Sequence, residues 1–370
     1  MSVLLTGSTG FVGMEVLARL LRDGDEPVDA LVRGSDRADA ERRLGAVLDG
    51  LGLPDEHRSR VRAVAGELTA PGLGLSAGDT LRLLDEVTDI VHCAASVSFA
   101  MPMDEARAIN VHGTRRMLEL ADRIAARRGL RRFVHVSTAY VAGRHRGLFA
   151  ETDLWTGQEF RNSYEQSKAE AEELVRRRGD RFPAVVVRPS IVVGDSATGW
   201  TPTFNVLYWP LRAFARGLLR SVPARPDGRV DVVPVDYVAD AIVHLLRERP
   251  DVRGVVNATA GADALTVDRL VELACTALGQ ERPVLEAPDD GLAERSSEAA
   301  RYLPYFDMEV VFDDARAREV LRPAGIAPPA LESYFDTLLD FARRAKWGKA
   351  PIARAAALSP PPPLPGKVAA

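Results

Sequence analysis

A short apolar run, Val3-Leu4-Leu5, ends in a glycine-rich loop, Thr6-Gly7-Ser8-Thr9-Gly10-Phe11-Val12-Gly13, and a helical pattern runs from Phe11 to about Leu21. Nothing else in the chain restricts its fold as strongly. A buried strand, a turn with no room for side chains and a helix opened by bare backbone form the first unit of a parallel α/β sheet. Gly7 permits the tight turn, Gly10 lets the backbone approach a pyrophosphate, and Gly13 allows close helix–strand packing. The helix N-terminus then offers free N–H groups and a positive dipole end to phosphates. Without the strand before it and the helix after it, the same glycine spacing would mean only a flexible turn.

The rest of the chain continues this pattern. Val28–Val32, Val61–Ala65, Ile90-Val91, Phe133–Val136 and Val185–Val187 read as strands, with helical segments at Asp36–Leu51, about Asp104–Arg128 and Ser163–Arg178. Such alternation predicts a Rossmann-like α/β fold, a doubly wound parallel sheet with helices on both faces, and a smaller C-terminal substrate lobe. Residues 1–194 and 231–258 are expected to form the nucleotide-binding domain, with Val255-Val256 as a late strand. Residues 195–230 and 259–345, including a helix at Thr266–Leu278, are assigned to the lobe. Residues 346–370 read as a flexible tail because Ser359–Pro365 is nearly all proline.

Composition excludes several classes. The 370 residues carry a net charge of −4 with both signs interspersed, so nothing electrostatic favours nucleic acid or an anionic membrane. Cys93 and Cys275 form no CxxC pair, and the six histidines show no metal-ligand spacing. No apolar run approaches the length of a membrane span, and no signal peptide is visible, so a cytoplasmic protein is expected. The oligomeric state is left open.

Two further features turn a binding loop toward chemistry. The second strand ends in Val32-Arg33-Gly34, where an NAD-selective site would want an acidic residue for the ribose 2′-hydroxyl. Arg33, supported by Arg42 or Arg43, instead suits a 2′-phosphate, and NADPH is the expected cofactor. Tyr164 and Lys168 lie four apart on one helix face, where an ammonium would favour the phenolate and lower the tyrosine pKa. Val136-Ser137-Thr138, at a strand end 26 residues before Tyr164, supplies a hydroxyl for a substrate oxygen. Each motif alone is weak, and Tyr164 alone would read as a half-buried helix tyrosine. The order of glycine loop, strand-end Ser-Thr and YxxxK is the signal.

Over residues 1 to about 260 the chain resembles the extended short-chain dehydrogenase/reductases, which carry TGxxGxxG, a strand-end Ser/Thr, YxxxK and a proline after the next strand, here Arg188-Pro189-Ser190. Within them it looks most like the thioester reductase and fatty acyl-CoA reductase branch. That narrower resemblance rests on Gly66-Glu67-Leu68-Thr69, Gly74-Leu75-Ser76, His92–Phe99 and Phe133–Val141. The resemblance implies that Thr138 polarises a carbonyl, Tyr164 gives a proton, and Lys168 tunes Tyr164 and grips the ribose. Ser137 and Tyr140 compete for the role of Thr138, which is preferred because it lies five residues before Gly143. It also implies cofactor contacts from Thr6, Gly7, Thr9, Gly10, Phe11, Val12, Gly13, Arg33 and Arg43, and from Ala94, Ala95, Ser96 and Val136. Glu67 and Leu68 would flank the adenine, although the family more often has Asp at the first position. Asn110 would support the active-site helix or a proton-relay water, and Pro189, Ser190 and Ile191 would approach the nicotinamide.

The expected reaction is NADPH-dependent reduction of an acyl thioester, on coenzyme A or a carrier protein, to an aldehyde or alcohol. An aldehyde taken directly is a second acceptor. The aromatic stretch with Trp200, Phe204, Tyr208 and Trp209, together with Ser98, is expected to face the substrate. Core packing or a dimer contact is the plainer explanation for those rings. Rival readings are a hydroxysteroid-type dehydrogenase or ketoreductase, a nucleotide-sugar epimerase or dehydratase that retains NAD without net turnover, and an NADPH-binding sensor without chemistry. Intact Thr138, Tyr164 and Lys168 argue against the sensor.

Overall fold

The computed structural model describes residues 1–204, 206–286, 302–306 and 308–358. Seven parallel strands form the central sheet: β1 (Ser2–Thr6), β2 (Val28–Val32), β3 (Val61–Ala65), β4 (Val87–His92), β5 (Arg132–Val136), β6 (Ala184–Pro189) and β7 (Gly254–Ala258). Their order is β7-β6-β5-β4-β1-β2-β3, so the winding reverses between β1 and β4. In open α/β sheets ligands bind at that switch, beyond the carboxyl ends of the strands.

These strands are apolar on both faces, as a covered parallel sheet requires. Val3, Leu5, Val91, Val134, Val185 and Val256 feed one core, beneath α1 (Phe11–Arg22) and α6 (Val235–Arg247). Leu4, Ile90, Phe133 and Val186 feed the other, beneath α3 (His112–Arg128). The helix boundaries have local causes. Asp36 caps α2 (Arg37–Leu51) by accepting from the Asp39 amide at 2.8 Å, and Asn162 caps α4 (Ser163–Arg176) through the Glu165 amide at 3.1 Å.

The lobe is built around α5 (Tyr208–Phe214), α7 (Val267–Leu278) and α8 (Phe335–Arg344), which share a third core with Phe149, Tyr305 and Phe312. It borrows from the first domain: the short strand Gly147–Phe149 pairs in parallel with Val310–Phe312.

Residues 346–358, expected to be part of a mobile tail, are packed. Helix α9 (Arg354–Leu358) lies against α2, and the Arg354 guanidinium pairs with the fully buried Glu15 of α1. Glu15 also pairs with Arg19 at 2.5 Å. The proline run from 359 lies outside the described residues. No helix of the described residues is long and apolar enough to cross a membrane.

Candidate active site

The loop after β1 has the expected form for physical reasons that can be checked atom by atom. Gly7 holds φ at +79°, and a Cβ there would sit 2.7 Å from the Ala94 amide nitrogen. At Gly13 a Cβ would overlap the Gly7 carbonyl oxygen. Gly10 precedes helix α1 without a side-chain cap, and no acidic residue lies in the first turn, so the leading N–H groups stay available. Thr6 is buried beneath this loop. Its Oγ1 accepts from the Ala94 amide at 3.1 Å and meets His92 Nδ1 at 2.8 Å. Thr6 and Ala94 therefore brace the β1 and β4 loop ends against each other. His92 also meets Thr114 Oγ1 at 3.1 Å, and burial, then the Lys168 charge, push its pKa down to about 3.

A cavity of about 400 Å³ opens over these loop ends. It is lined by Gly7, Gly10, Phe11, Val12 and Gly13 on one side and by Ala95, Val136, Thr138, Tyr164 and Lys168 on the other. Pro189, Ser190 and Ile191 close a third side. The glycine loop and the Thr138, Tyr164 and Lys168 group, far apart in sequence, thus share one cleft.

Within the cleft, Thr138 is buried, and its hydroxyl donates to the Pro189 carbonyl at 3.4 Å and accepts from the Tyr140 amide at 3.2 Å. Lys168 is also buried, with Nζ donating to the Val136 carbonyl at 2.8 Å. Burial pulls its pKa down to about 8, against the opposing pull of Glu172. Tyr164 behaves differently from the sequence expectation. Burial pushes its phenol up to about 12, with the Thr138 hydroxyl pulling the other way and Lys168 having no resolved part. The phenol is therefore held in its protonated form rather than as phenolate. Cys93 also borders the cleft, but burial raises its thiol to about 12, which leaves it a poor nucleophile.

Supporting groups hold this set in place. Asn110 sits in a π-helical turn, Arg107–Val111, a distortion frequent at functional sites. It accepts from the Ser96 amide at 2.8 Å and donates to the Ser96 carbonyl at 3.1 Å and to Ser167 Oγ at 2.9 Å. Asn110 and Ser96 therefore link the β4 loop to α4. Glu172, one turn beyond Lys168, is fully buried. It accepts from Ser137 Oγ at 2.8 Å and from Arg188 at 2.7 and 3.0 Å. Ser137 is thus committed to Glu172, which favours Thr138 as the substrate-facing hydroxyl.

Other expected contacts lie elsewhere. Arg33 is exposed at the end of β2, and Arg43 donates to its carbonyl at 2.5 Å, so both cations stand together beyond that strand. Arg42 is paired with Asp39. Thr9 is exposed at the loop tip, and Glu67 is half-buried with its carboxylate accepting from the Thr69 amide at 3.2 Å. Leu68 is buried in the core against the position of Gly113. Ser98 is exposed and does not line the cleft.

Of the four aromatic candidates, only Tyr208 lines the cleft. Trp200 is a correction: it is buried with Phe341, Ala345 and Ala357, its indole donates to the Ile352 carbonyl at 3.0 Å, and it meets Phe11 edge-on at 5.8 Å. Phe204 stacks on Phe341 at 6.2 Å, and Trp209 borders a separate cavity. Besides Phe11, Tyr140, Tyr164 and Tyr208, the cleft has rings for which the sequence assigned no role. Phe99 lies 5.6 Å from Tyr164 and 5.0 Å from Tyr305, and Tyr302 completes the group. Tyr305 Oη donates to Glu165 at 2.7 Å and accepts from Asn162 at 2.8 Å, tying the lobe to the first turn of α4.

Comparison with known proteins is consistent with this geometry. A family model described as male sterility protein, an NAD-binding family, matches residues 5–242. Human fatty acyl-CoA reductase 1 is 32% identical over 275 residues, covering 65% of this chain and 53% of the relative. The chain therefore spans about half the length of the curated relatives it matches. The terminal R domain from the myxalamid PKS-NRPS biosynthetic pathway superposes with a TM-score of 0.80 at 28% identity, covering 95% of this chain and 92% of that domain. The reductase (R) domain of a nonribosomal peptide synthetase from Mycobacterium tuberculosis has a TM-score of 0.70, covering 94% and 92%, and its 24% identity speaks to the fold alone.

Proposed function

The chain belongs to the male sterility protein family, and we propose on that premise that it is an NADPH-dependent reductase of acyl thioesters. The observation that carries this reading is the shared cleft, where Thr138, Tyr164 and Lys168 stand across from the Gly7–Gly13 loop. The similarity to a fatty acyl-CoA reductase and to an R domain supports a thioester carried on coenzyme A or on a carrier protein.

The residues present fit a dinucleotide. The uncapped start of α1 and the space kept by Gly7 and Gly13 suit a pyrophosphate. Arg33 and Arg43 suit a 2′-phosphate, because the acidic residues nearby are engaged: Asp36 caps α2, and Asp39 accepts from the Ser35 amide at 3.1 Å. When bound, the nicotinamide supplies a hydride to the thioester carbonyl carbon. Thr138 and Tyr164 donate hydrogen bonds to the oxygen as it gains charge, and Tyr164 gives it the proton. The Lys168 ammonium, held beside them by Val136, offsets that charge and is placed to hold ribose hydroxyls. Collapse of the resulting hemithioacetal breaks the C–S bond and leaves an aldehyde and a free thiol. Pro189, Ser190 and Ile191 wall the cleft beside Thr138.

The test is a panel of acyl-coenzyme A and acyl-carrier thioesters, with aldehydes alongside, read by NADPH oxidation and thiol release. Oxidation with matching thiol release supports thioester reduction. Turnover of aldehydes but of no thioester would demote the protein to an aldehyde or ketone reductase of the same fold.

A further inference from the structure

Helix α1 carries Phe11 and Glu15 four residues apart, on one face. Phe11 lines the cleft beside Gly10 and Gly13. Both residues are held from residues 346–358, a segment the mechanism does not use. Arg354 donates twice to the fully buried Glu15 carboxylate, through Nε to one oxygen and at 3.2 Å to the other. The Ile352 carbonyl accepts from the Trp200 indole at 3.0 Å, and Trp200 meets Phe11 edge-on at 5.8 Å. Trp200, Phe341, Ala345 and Ala357 form a small core of their own, against which Phe11 and Met14 pack. That core joins the end of the lobe helix α8 to the first turn of α1. The chain enters the segment through an unusual turn. Lys346 and Trp347 hold φ at +48° and +57°, an uncommon conformation for residues with a side chain. Gly348 follows at +88°, and a Cβ there would sit 2.9 Å from the Phe204 ring. Such a turn persists only where its surroundings hold it, so the docked contacts work against a local cost.

We propose that residues 346–358 act as a strap that positions the glycine loop for a dinucleotide, so that strap docking and cofactor binding strengthen each other. The proposal rests on the dinucleotide reading of the cleft and on no particular acceptor. None of residues 346–358 lines the cleft, so the strap acts through Phe11 and Glu15. Its release uncovers Trp200, removes the backing of Phe11 and takes one cationic partner from Glu15. Arg19 still pairs with Glu15 at 2.5 Å, so α1 keeps a partner for its buried carboxylate when the strap is away. The loop then loses its shape for the pyrophosphate without the helix unfolding.

The experiment measures NADP+ binding by calorimetry and hydrogen exchange at the Ala356 and Ala357 amides, each of which donates to the Ala353 carbonyl at 3.1 Å. Wild type, Arg354→Met and Ala357→Asp are compared as whole chains, with limited proteolysis within 346–358 reporting release of the strap. Coupling between sites is reciprocal and typically about 5–150-fold. Each released variant should therefore bind NADP+ at least about fivefold more weakly. Saturating NADP+ should slow exchange at the two amides of wild type by a similar factor. That exchange needs no variant, so it decides the matter if both substitutions fail to fold. A strap that only adds stability predicts an easier melt with unchanged NADP+ affinity in a released, folded variant. That result, or wild-type exchange indifferent to bound NADP+, overturns the proposal and leaves the dinucleotide reading standing. Wild type that binds no NADP+ sinks both.

Discussion

Replacing Glu172 by Gln should damage both stability and the pH range of activity. The carboxylate and the Arg188 guanidinium are each fully inaccessible to solvent and pair at 2.7 Å. Arg188 also lies over the Phe149 ring at 5.3 Å, so it has no route to water if its partner loses charge. Removing one partner of a buried pair costs about 3–5 kcal/mol, because the other charge is left uncompensated. At about 2–4 °C per kcal/mol for chains of 150–250 residues, the melting temperature should fall by roughly 6–20 °C, toward the lower end in this longer chain. Glu172 is also the largest influence opposing the burial of Lys168, whose pKa lies at about 8. Lys168 is charged below that pH and neutral above it, so losing Glu172 moves the loss of charge to lower pH. The alkaline limb of kcat/KM should follow. The double variant Glu172→Leu with Arg188→Met should recover part of the stability, since apolar replacement of both fully buried partners is tolerated and the third partner, Arg176, which pairs with Glu172 at 2.7 Å, is a quarter exposed and can turn to solvent. It should not restore the pH limb. Thermal melts and pH–rate profiles read the two effects separately. A Glu172→Gln protein that melts with wild type and keeps its pH profile would refute the reasoning.

Wild-type kcat/KM should itself fall as pH rises through about 8, while Tyr164, held at about 12, stays protonated; a flat profile to pH 9.5 would contradict this. Thr138→Val should lower kcat by about 10²–10³-fold, with Thr138→Ser retaining most of it, because the lost group donates to the developing oxyanion. Arg33→Ala with Arg43→Ala should raise KM for NADPH by about ten- to hundredfold and leave KM for NADH nearly unchanged, as expected for hydrogen bonds to a charged phosphate. Trp200→Ala should cost about 3–5 kcal/mol by leaving a large void, and limited proteolysis should then cut within 346–358 before the sheet domain.

The strands were legible because each is a short apolar run bounded by glycine or charge; β2 and β3 match their predicted limits residue for residue. That Thr138, Tyr164 and Lys168 share one cleft was legible because helical spacing and a strand end are local patterns. The cleft's aromatic group was not. Phe99 follows an irregular loop, and Tyr302 and Tyr305 lie on a turn too short for periodicity, so only tertiary contact brings them to Tyr164. Trp200 misled for the converse reason: aromatic density marks burial, and its burial is against the chain end. One signal of that docking was present. Glu15 stands among apolar residues of α1, and a buried carboxylate implies cationic partners, which prove to be the local Arg19 and the distant Arg354. The Tyr164 pKa went astray because spacing places Lys168 near it but does not show that Lys168 donates to Val136 or how deeply the phenol is buried.

The central claim is that hydride reaches a thioester carbonyl and expels a thiol. Incubation with an acyl thioester and NADPH deuterated at the transferred position tests it directly, by mass spectrometry of the product and titration of free thiol. Deuterium at the product's carbonyl carbon, with one thiol released for each first hydride and both lost in Tyr164→Phe, is the predicted result. NADPH consumed without thiol release, or tightly retained NAD with no net oxidation, would contradict it.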